Sequence, residues 1–166
     1  THKSLLFLAQ DPAGPWRRVE MGGFFYDSSL FFDDDDRVYI VHGNTTLRIT
    51  ELETETWGTR PGGLDRVIVE DKPGQRLGYE GSHLYKRNGK YYLFTCHMPA
   101  GSKYLKTEDC FLADSLTGPF RGKNILDDNM GYRDFGVAQG GMVDTPEGDW
   151  YAFMFQDRGP LGRAPV

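Results

Sequence analysis

The chain has 166 residues, 39% of them hydrophobic and 14% aromatic, with 21 glycines and 9 prolines. That is enough apolar material for one domain-sized core, but no run approaches the roughly 18 apolar residues of a membrane span. A formal net charge of −5 leaves no basic face, which argues against nucleic acid and anionic membranes as partners and in favour of a neutral ligand.

The first element in chain order is Phe7-Leu8-Ala9, followed by Gly14-Pro15-Trp16, which predicts a strand and a turn; Asp11-Pro12 between them reads as part of that turn. A strand-turn-strand pattern then runs from Asp27 to Val41, with the polar turn at Asp35-Asp36 and a second strand from Val38-Tyr39. The pattern returns from Glu80 to Phe94 around Asn88-Gly89, and from Gln139 to Phe153 around Glu147-Gly148. Asn-Gly favours a tight hairpin because both of its residues adopt positive φ, and Asp36, standing where glycine stands elsewhere, tolerates that region better than most residues. Between the second and third copies, Phe111-Leu112-Ala113 and Gly118-Pro119-Phe120 echo the opening element.

The three copies align without a gap and place Asp27, Glu80 and Gln139 at one equivalent position. Their spacing of roughly 50 to 60 residues is that of β-propeller blades, each a four-stranded sheet around a central channel. The echo at Phe111 puts the strand start that belongs with Phe7 ahead of residue 1, so the chain is expected to supply the end of one blade, two full blades and the start of a fourth. Equivalent strand starts in a propeller converge on the channel, where an acid, a second acid and an amide would meet. Cleaving a glycosidic bond needs one carboxylic acid to protonate the departing oxygen and a second group to activate water. Glu80, between Tyr79 and Gly81-Ser82-His83, is the candidate acid, since an aromatic neighbour and close backbone approach desolvate a carboxyl and suit it to proton donation. Asp27 is the candidate that tunes it through nearby negative charge.

Phe25-Tyr26-Asp27-Ser28-Ser29-Leu30-Phe31-Phe32-Asp33-Asp34-Asp35, Ile49-Thr50-Glu51-Leu52, Glu80-Gly81-Ser82-His83-Leu84-Tyr85-Lys86, Ala138-Gln139-Gly140-Gly141-Met142-Val143-Asp144-Thr145-Pro146 and Phe155-Gln156-Asp157-Arg158-Gly159 resemble, in order, the motifs of glycoside hydrolase family 43. The resemblance implies an all-β, five-bladed β-propeller, of which residues 1–166 form a partial catalytic domain, and an inverting β-xylosidase or α-L-arabinofuranosidase activity. By motif it makes Glu80 the general acid and Asp27 the residue that tunes and orients it, and it makes Gln139 and Arg163 contacts to the sugar beside the scissile bond. The implied partner is a xylo- or arabino-oligosaccharide, together with the remainder of the propeller. The family's general base, an aspartate usually followed by proline on the first strand of the first blade, would fall upstream of residue 1; Asp11-Pro12 sits at the wrong end of a blade to be it. Ser82 and Asp36 stand where the family often has proline and glycine.

Other residues carry plainer readings. Asp33 to Asp36 lacks the alternate ligand spacing of a calcium loop and reads as a solvated hairpin turn. No cofactor is implied, with a structural calcium in the channel left open. His42, His83 and His97 lack metal-ligand spacing, although His83, three residues after the acid, is a candidate for shaping the sugar pocket. Trp16, Trp57 and Trp150 are expected between blades, and Cys96 and Cys110 as ordinary thiols on neighbouring strands. Two alternatives remain on the sequence alone: a non-catalytic carbohydrate-binding propeller, and an endo-arabinanase of the same fold.

Overall fold

The continuous apolar run Val38-Tyr39-Ile40-Val41 explains how the sheets stack. Side chains alternate sides along a strand, so such a run needs a neighbour on each face. In the computed structural model, which describes residues 2–159 and 162–166, all four are buried. Val38 and Ile40 join Met21, Phe25 and Leu52 in one core cluster, while Tyr39 and Val41 join Leu47, Ile49, Leu84 and Leu93 in another. The strand is thus sandwiched between two further sheets.

Every regular element among the described residues is a strand. The first sheet pairs β1 (Leu5–Leu8) with β2 (Arg17–Glu20). The second contains β3 (Ser29–Phe32), β4 (Val38–His42), β5 (Thr46–Glu53), β6 (Gly58–Thr59) and β7 (Asp65–Glu70), with both β6 and β7 paired to β5. The third runs β8 (Leu77–Arg87), β9 (Lys90–Met98), β10 (Thr107–Ala113) and β11 (Arg121–Leu126); the fourth runs β12 (Val137–Asp144), β13 (Trp150–Asp157) and β14 (Arg163–Pro165). All pairings are antiparallel. The expected echo reappears as register: Leu8↔Arg17 in the first sheet corresponds to Leu112↔Arg121 in the third. The four sheets close no ring, and the end sheets keep bare apolar faces, with Phe7 at 52% and Phe153 at 65% exposure. Pro160 and Leu161 lie outside the described residues.

The hairpin turns form where the sequence places them, with positive φ at Asp36 (62°), Asn88 (50°), Gly89 (72°) and Gly148 (89°). Their lengths differ. Phe32↔Val38 and Asp144↔Trp150 close five-residue loops, whereas Arg87↔Lys90 closes on Asn88-Gly89 alone. That difference corrects the gap-free alignment. Asp27 and Gln139 both sit at positive φ at strand starts (45° and 58°), and Gln139 is the extra residue of a bulge between Ala138 and Gly140. In β8 the extra residue falls between Glu80 and His83, with Gly81 at φ 62°. Glu80 is therefore one residue out of step with the other two.

Polar contacts tie the sheets together. Lys86 Nζ lies 2.5 Å from Asp33 Oδ1, and the Tyr91 hydroxyl donates to Asp33 Oδ2 at 2.8 Å. Asp33 is thus a buried link between the second and third sheets, and only Asp34 to Asp36 form the solvated turn expected for the whole run. His97 lies between Asp71 (2.9 Å) and Asp109 (3.7 Å), under the Tyr79 ring. Trp150 meets Tyr85 edge-on and carries Arg87 over its face, as a residue between sheets should, and Trp57 packs on the first core cluster; Trp16 departs from the expectation and is 56% exposed. Cys96 and Cys110 are free thiols on β9 and β10. Asp11 accepts from the backbone of Ala13 and Gly14, the turn expected of it.

Leu93 is fully buried in the cluster shared by the second and third sheets. Leu93→Ala should lower the unfolding free energy by about 2–5 kcal/mol in urea titrations, the range for a leucine cavity that only partly collapses. Glu108 on β10 is also fully buried, and burial pushes its carboxyl up from 4.5 to about 7, the backbone N–H of Gln139 working against the rise. A carboxyl raised in the fold binds more protons than the unfolded chain between those values, so its contribution falls as pH rises from about 4.5 to 7 and is flat above. The stability of Glu108→Gln relative to wild type should therefore grow by on the order of 3 kcal/mol from pH 4.5 to pH 8; a pH-independent difference would contradict this.

Candidate active site

The bulges decide where polar side chains go. A bulge adds a residue to one strand, sharpens the local twist and re-aims the side chain it carries. The bulge at Gln139 sends its carboxamide to Asp27, with Nε2 donating to Oδ2 at 3.2 Å and to Oδ1 at 3.5 Å. Gly81 lies against the same carboxamide; a Cβ there would overlap the Gln139 side chain, and φ 62° suits glycine in any case. Residues 27, 81 and 139, from three sheets, are thus in mutual contact or one side chain apart.

Glu80 takes its partners from the second sheet. Its Oε2 accepts from Asn44 Nδ2 at 2.6 Å and from the Tyr26 hydroxyl at 3.3 Å. Asn44 belongs to the tight turn between β4 and β5, where Thr45 donates its hydroxyl to Asn44 Oδ1 at 2.9 Å and its backbone N–H to Tyr79 at 2.9 Å. Tyr26 precedes Asp27, so a single dipeptide contacts both halves of the site. The Glu80 charge, followed by desolvation and the Asp27 charge, holds the Tyr26 phenol above its usual value of 10. Tyr26 therefore remains a neutral donor across the physiological range.

His83 is half-buried beside this group. Desolvation pushes its imidazole below the usual 6.5, with the Asp27 charge pulling the other way. Gln139, His83 and Arg163 line a hollow of about 530 Å³, whose remaining wall is apolar and includes Phe153 and Phe155. Arg163 occupies its rim. The guanidinium lies 4.4 Å from the Phe155 ring centroid, and Nε is 3.3 Å from Asp157 Oδ1. The ion-pair partner of Arg163 is Asp157, and it forms no hydrogen bond or ion pair with Asp27 or Glu80. No group of three or more His, Cys, Asp or Glu side chains suited to a metal occurs among the described residues.

Three members of this network have no signal in the repeat. Asn44 and Tyr26 hold Glu80, and Glu108 accepts the Gln139 N–H at 2.8 Å through Oε2. His42-Gly43-Asn44-Thr45 is recognisable as a turn, but what it approaches is decided by packing. Chemically, the network offers two carboxylates with separate hydrogen-bond partners, and beside it an imidazole, a carboxamide and a cation line an open, partly apolar hollow. Such a surface suits a polyhydroxylated ring with one apolar face.

Comparison with known proteins agrees with that reading. The family described as Glycosyl hydrolases family 43 matches residues 1–166. A "Xylosidase/arabinosidase" of Butyrivibrio fibrisolvens is 30% identical, covering 98% of this chain and 35% of its own length. "Xylosidase/arabinosidase 43B" of Humicola insolens is 29% identical over 86% of this chain and 28% of its own length. Among solved structures, a "Bifunctional GH43-CE" protein of Bacteroides eggerthii superposes with a TM-score of 0.85 at 38% identity, covering 99% of this chain and 21% of that one. The chain thus spans about a third or less of these relatives. With a match over its whole length and the fold that accompanies it, the chain belongs to glycosyl hydrolases family 43.

Proposed function

We propose that this chain is the central part of an inverting glycosidase that cleaves xylosidic or arabinofuranosidic bonds of plant cell-wall polysaccharide. The observation that carries the proposal is the network joining Asp27 to Gln139 and Glu80 to Tyr26 and Asn44 at bulged strand starts from neighbouring sheets. The family match supports glycoside hydrolysis, and the relatives' names support a pentose substrate. In this reading β1 and β2 end the first blade of a five-bladed propeller, the second and third sheets are complete blades, and the fourth sheet begins the next. The bare faces around Phe7 and Phe153 are what further sheets would cover.

Glu80 is the general acid that protonates the departing oxygen. Asp27, oriented by Gln139, supplies the neighbouring negative charge that keeps the proton on the acid until it is needed. An aspartate from a segment preceding residue 1 removes the proton from water on the opposite face of the ring. Gln139, Arg163 and His83 contact the sugar next to the scissile bond, and the chain without its base is nearly inactive alone.

Two measurements on the full-length protein test this. Glu80→Ala should lower kcat/KM on xylan oligosaccharides by about 10²–10⁴-fold, yet much less on a dinitrophenyl xyloside or arabinofuranoside, whose leaving group departs without a proton. Equal losses on both substrates would remove Glu80 from the acid role, and binding without turnover in wild type would favour a carbohydrate-binding propeller. Gly81→Ala should cut kcat/KM at least about tenfold through displacement of the Gln139 carboxamide, with a stability loss of only about 1–3 kcal/mol from the positive φ; activity within twofold of wild type would contradict it.

A further inference from the structure

Glu108 is the second residue of β10, in the third sheet, with its side chain fully buried. Its Oε2 reaches across to the fourth sheet and accepts the backbone N–H of Gln139 at 2.8 Å, while Oε1 has no hydrogen-bond partner among the described residues. The bulge creates the need for this acceptor. Ala138 pairs with Phe155 and Gly140 with Met154, so Gln139 is skipped by the ladder and its N–H would otherwise be buried without a strand partner. The same residue holds φ at 58° and hands its carboxamide to Asp27.

We propose that Glu108 is a positioning residue: its carboxylate clamps the Gln139 N–H and so sets the direction in which the Gln139 side chain meets Asp27 and the ligand. The kinetic consequence rests on the glycosidase reading above; the positional one does not. A charged acceptor makes a shorter, stronger bond than a neutral one, and the carboxylate is well placed to supply it without competing donors. The other titratable groups that face it are the Cys96 thiol on β9, pushed up to about 12 by burial, the Tyr85 phenol on β8, raised by burial, and Asp109 and Cys110 on its own strand, the latter at about 11. The three thiol and phenol groups stay neutral near pH 7. Lys106, just before β10, is turned to Asp157 at 2.7 Å. Across the sheet, Glu80, Cys96 and Glu108 share one transverse row, so the clamp lies two strands from the candidate acid. With its carboxyl at about 7, the clamp tightens as pH rises through neutrality.

The test uses Glu108→Ala, which removes the acceptor, and Glu108→Gln, which keeps a neutral one, in the full-length protein. Glu108→Ala should lower kcat/KM at least tenfold and Glu108→Gln should recover it to within about threefold, with the ratio of wild type to Glu108→Gln rising several-fold from pH 5.5 to 8. Independently of activity, hydrogen exchange of the 137–142 segment should quicken in Glu108→Ala and not in Glu108→Gln, and a structure of Glu108→Ala should show the Gln139 carboxamide off Asp27. Unchanged exchange together with an unmoved carboxamide overturns the proposal. If Glu108→Ala does not fold, the pH-dependent ratio for Glu108→Gln decides, and a flat ratio overturns it. A wild type that cleaves no glycoside sinks the glycosidase reading alone, and exchange and carboxamide position then decide the role of Glu108.

Discussion

A strand buried on both faces has no solvated side on which to carry a polar residue. That constraint governs β4, whose first four residues divide between two cores, and it shapes the rest of the molecule. Polar chemistry is displaced to strand ends and to the few sites where a bulge turns a side chain out of the stack. Asp27 and Gln139 occupy such sites, and Glu80 borders one. The site is therefore a by-product of how sheets must pack when each has neighbours on both sides.

The polar groups that remain inside are almost all matched. Asp33 is shared by Lys86 and Tyr91, His97 sits between two aspartates, and Gln156, fully buried, donates to the carbonyls of Asn129 and Phe135. Each ties one sheet, or one loop, to its neighbour. An unmatched buried charge would cost several kcal/mol, so these pairs fix how the sheets meet more than they add to overall stability. Among the described residues two buried side-chain atoms lack a partner, Thr145 Oγ1 and Glu108 Oε1, and the position of Glu108 behind the Gln139 bulge is what makes its idle oxygen informative.

Much of this was legible in the sequence because it rests on local rules. Asn88-Gly89, Gly148 and Asp36 announce the turns through their tolerance of positive φ, and alternating aromatic and branched residues announce the strands between them. The meeting of Asp27 with Gln139, 112 residues apart, was legible because repetition converts a distant contact into a matter of alignment. What escaped was set by packing. Asn44 and Tyr26 lie outside the repeated positions, Glu108 looks like any strand glutamate, and Asp33, within a run of four aspartates, looks solvated until Lys86 and Tyr91 are seen around it.

The off-step position of Glu80 follows from the same economy. A paired strand behaves as a stiff rod, so shortening the loop at Asn88-Gly89 slides the pairing by a single residue and carries that change along β8 for about 20 Å, at roughly 3.3 Å per residue. Which side chain reaches the end beside Asp27 and Gln139 is then governed by a loop at the opposite end of the strand. Loop length at one rim of such a sheet is a remote adjuster of side-chain placement at the other, and length changes there re-deal the candidate site without any substitution in it.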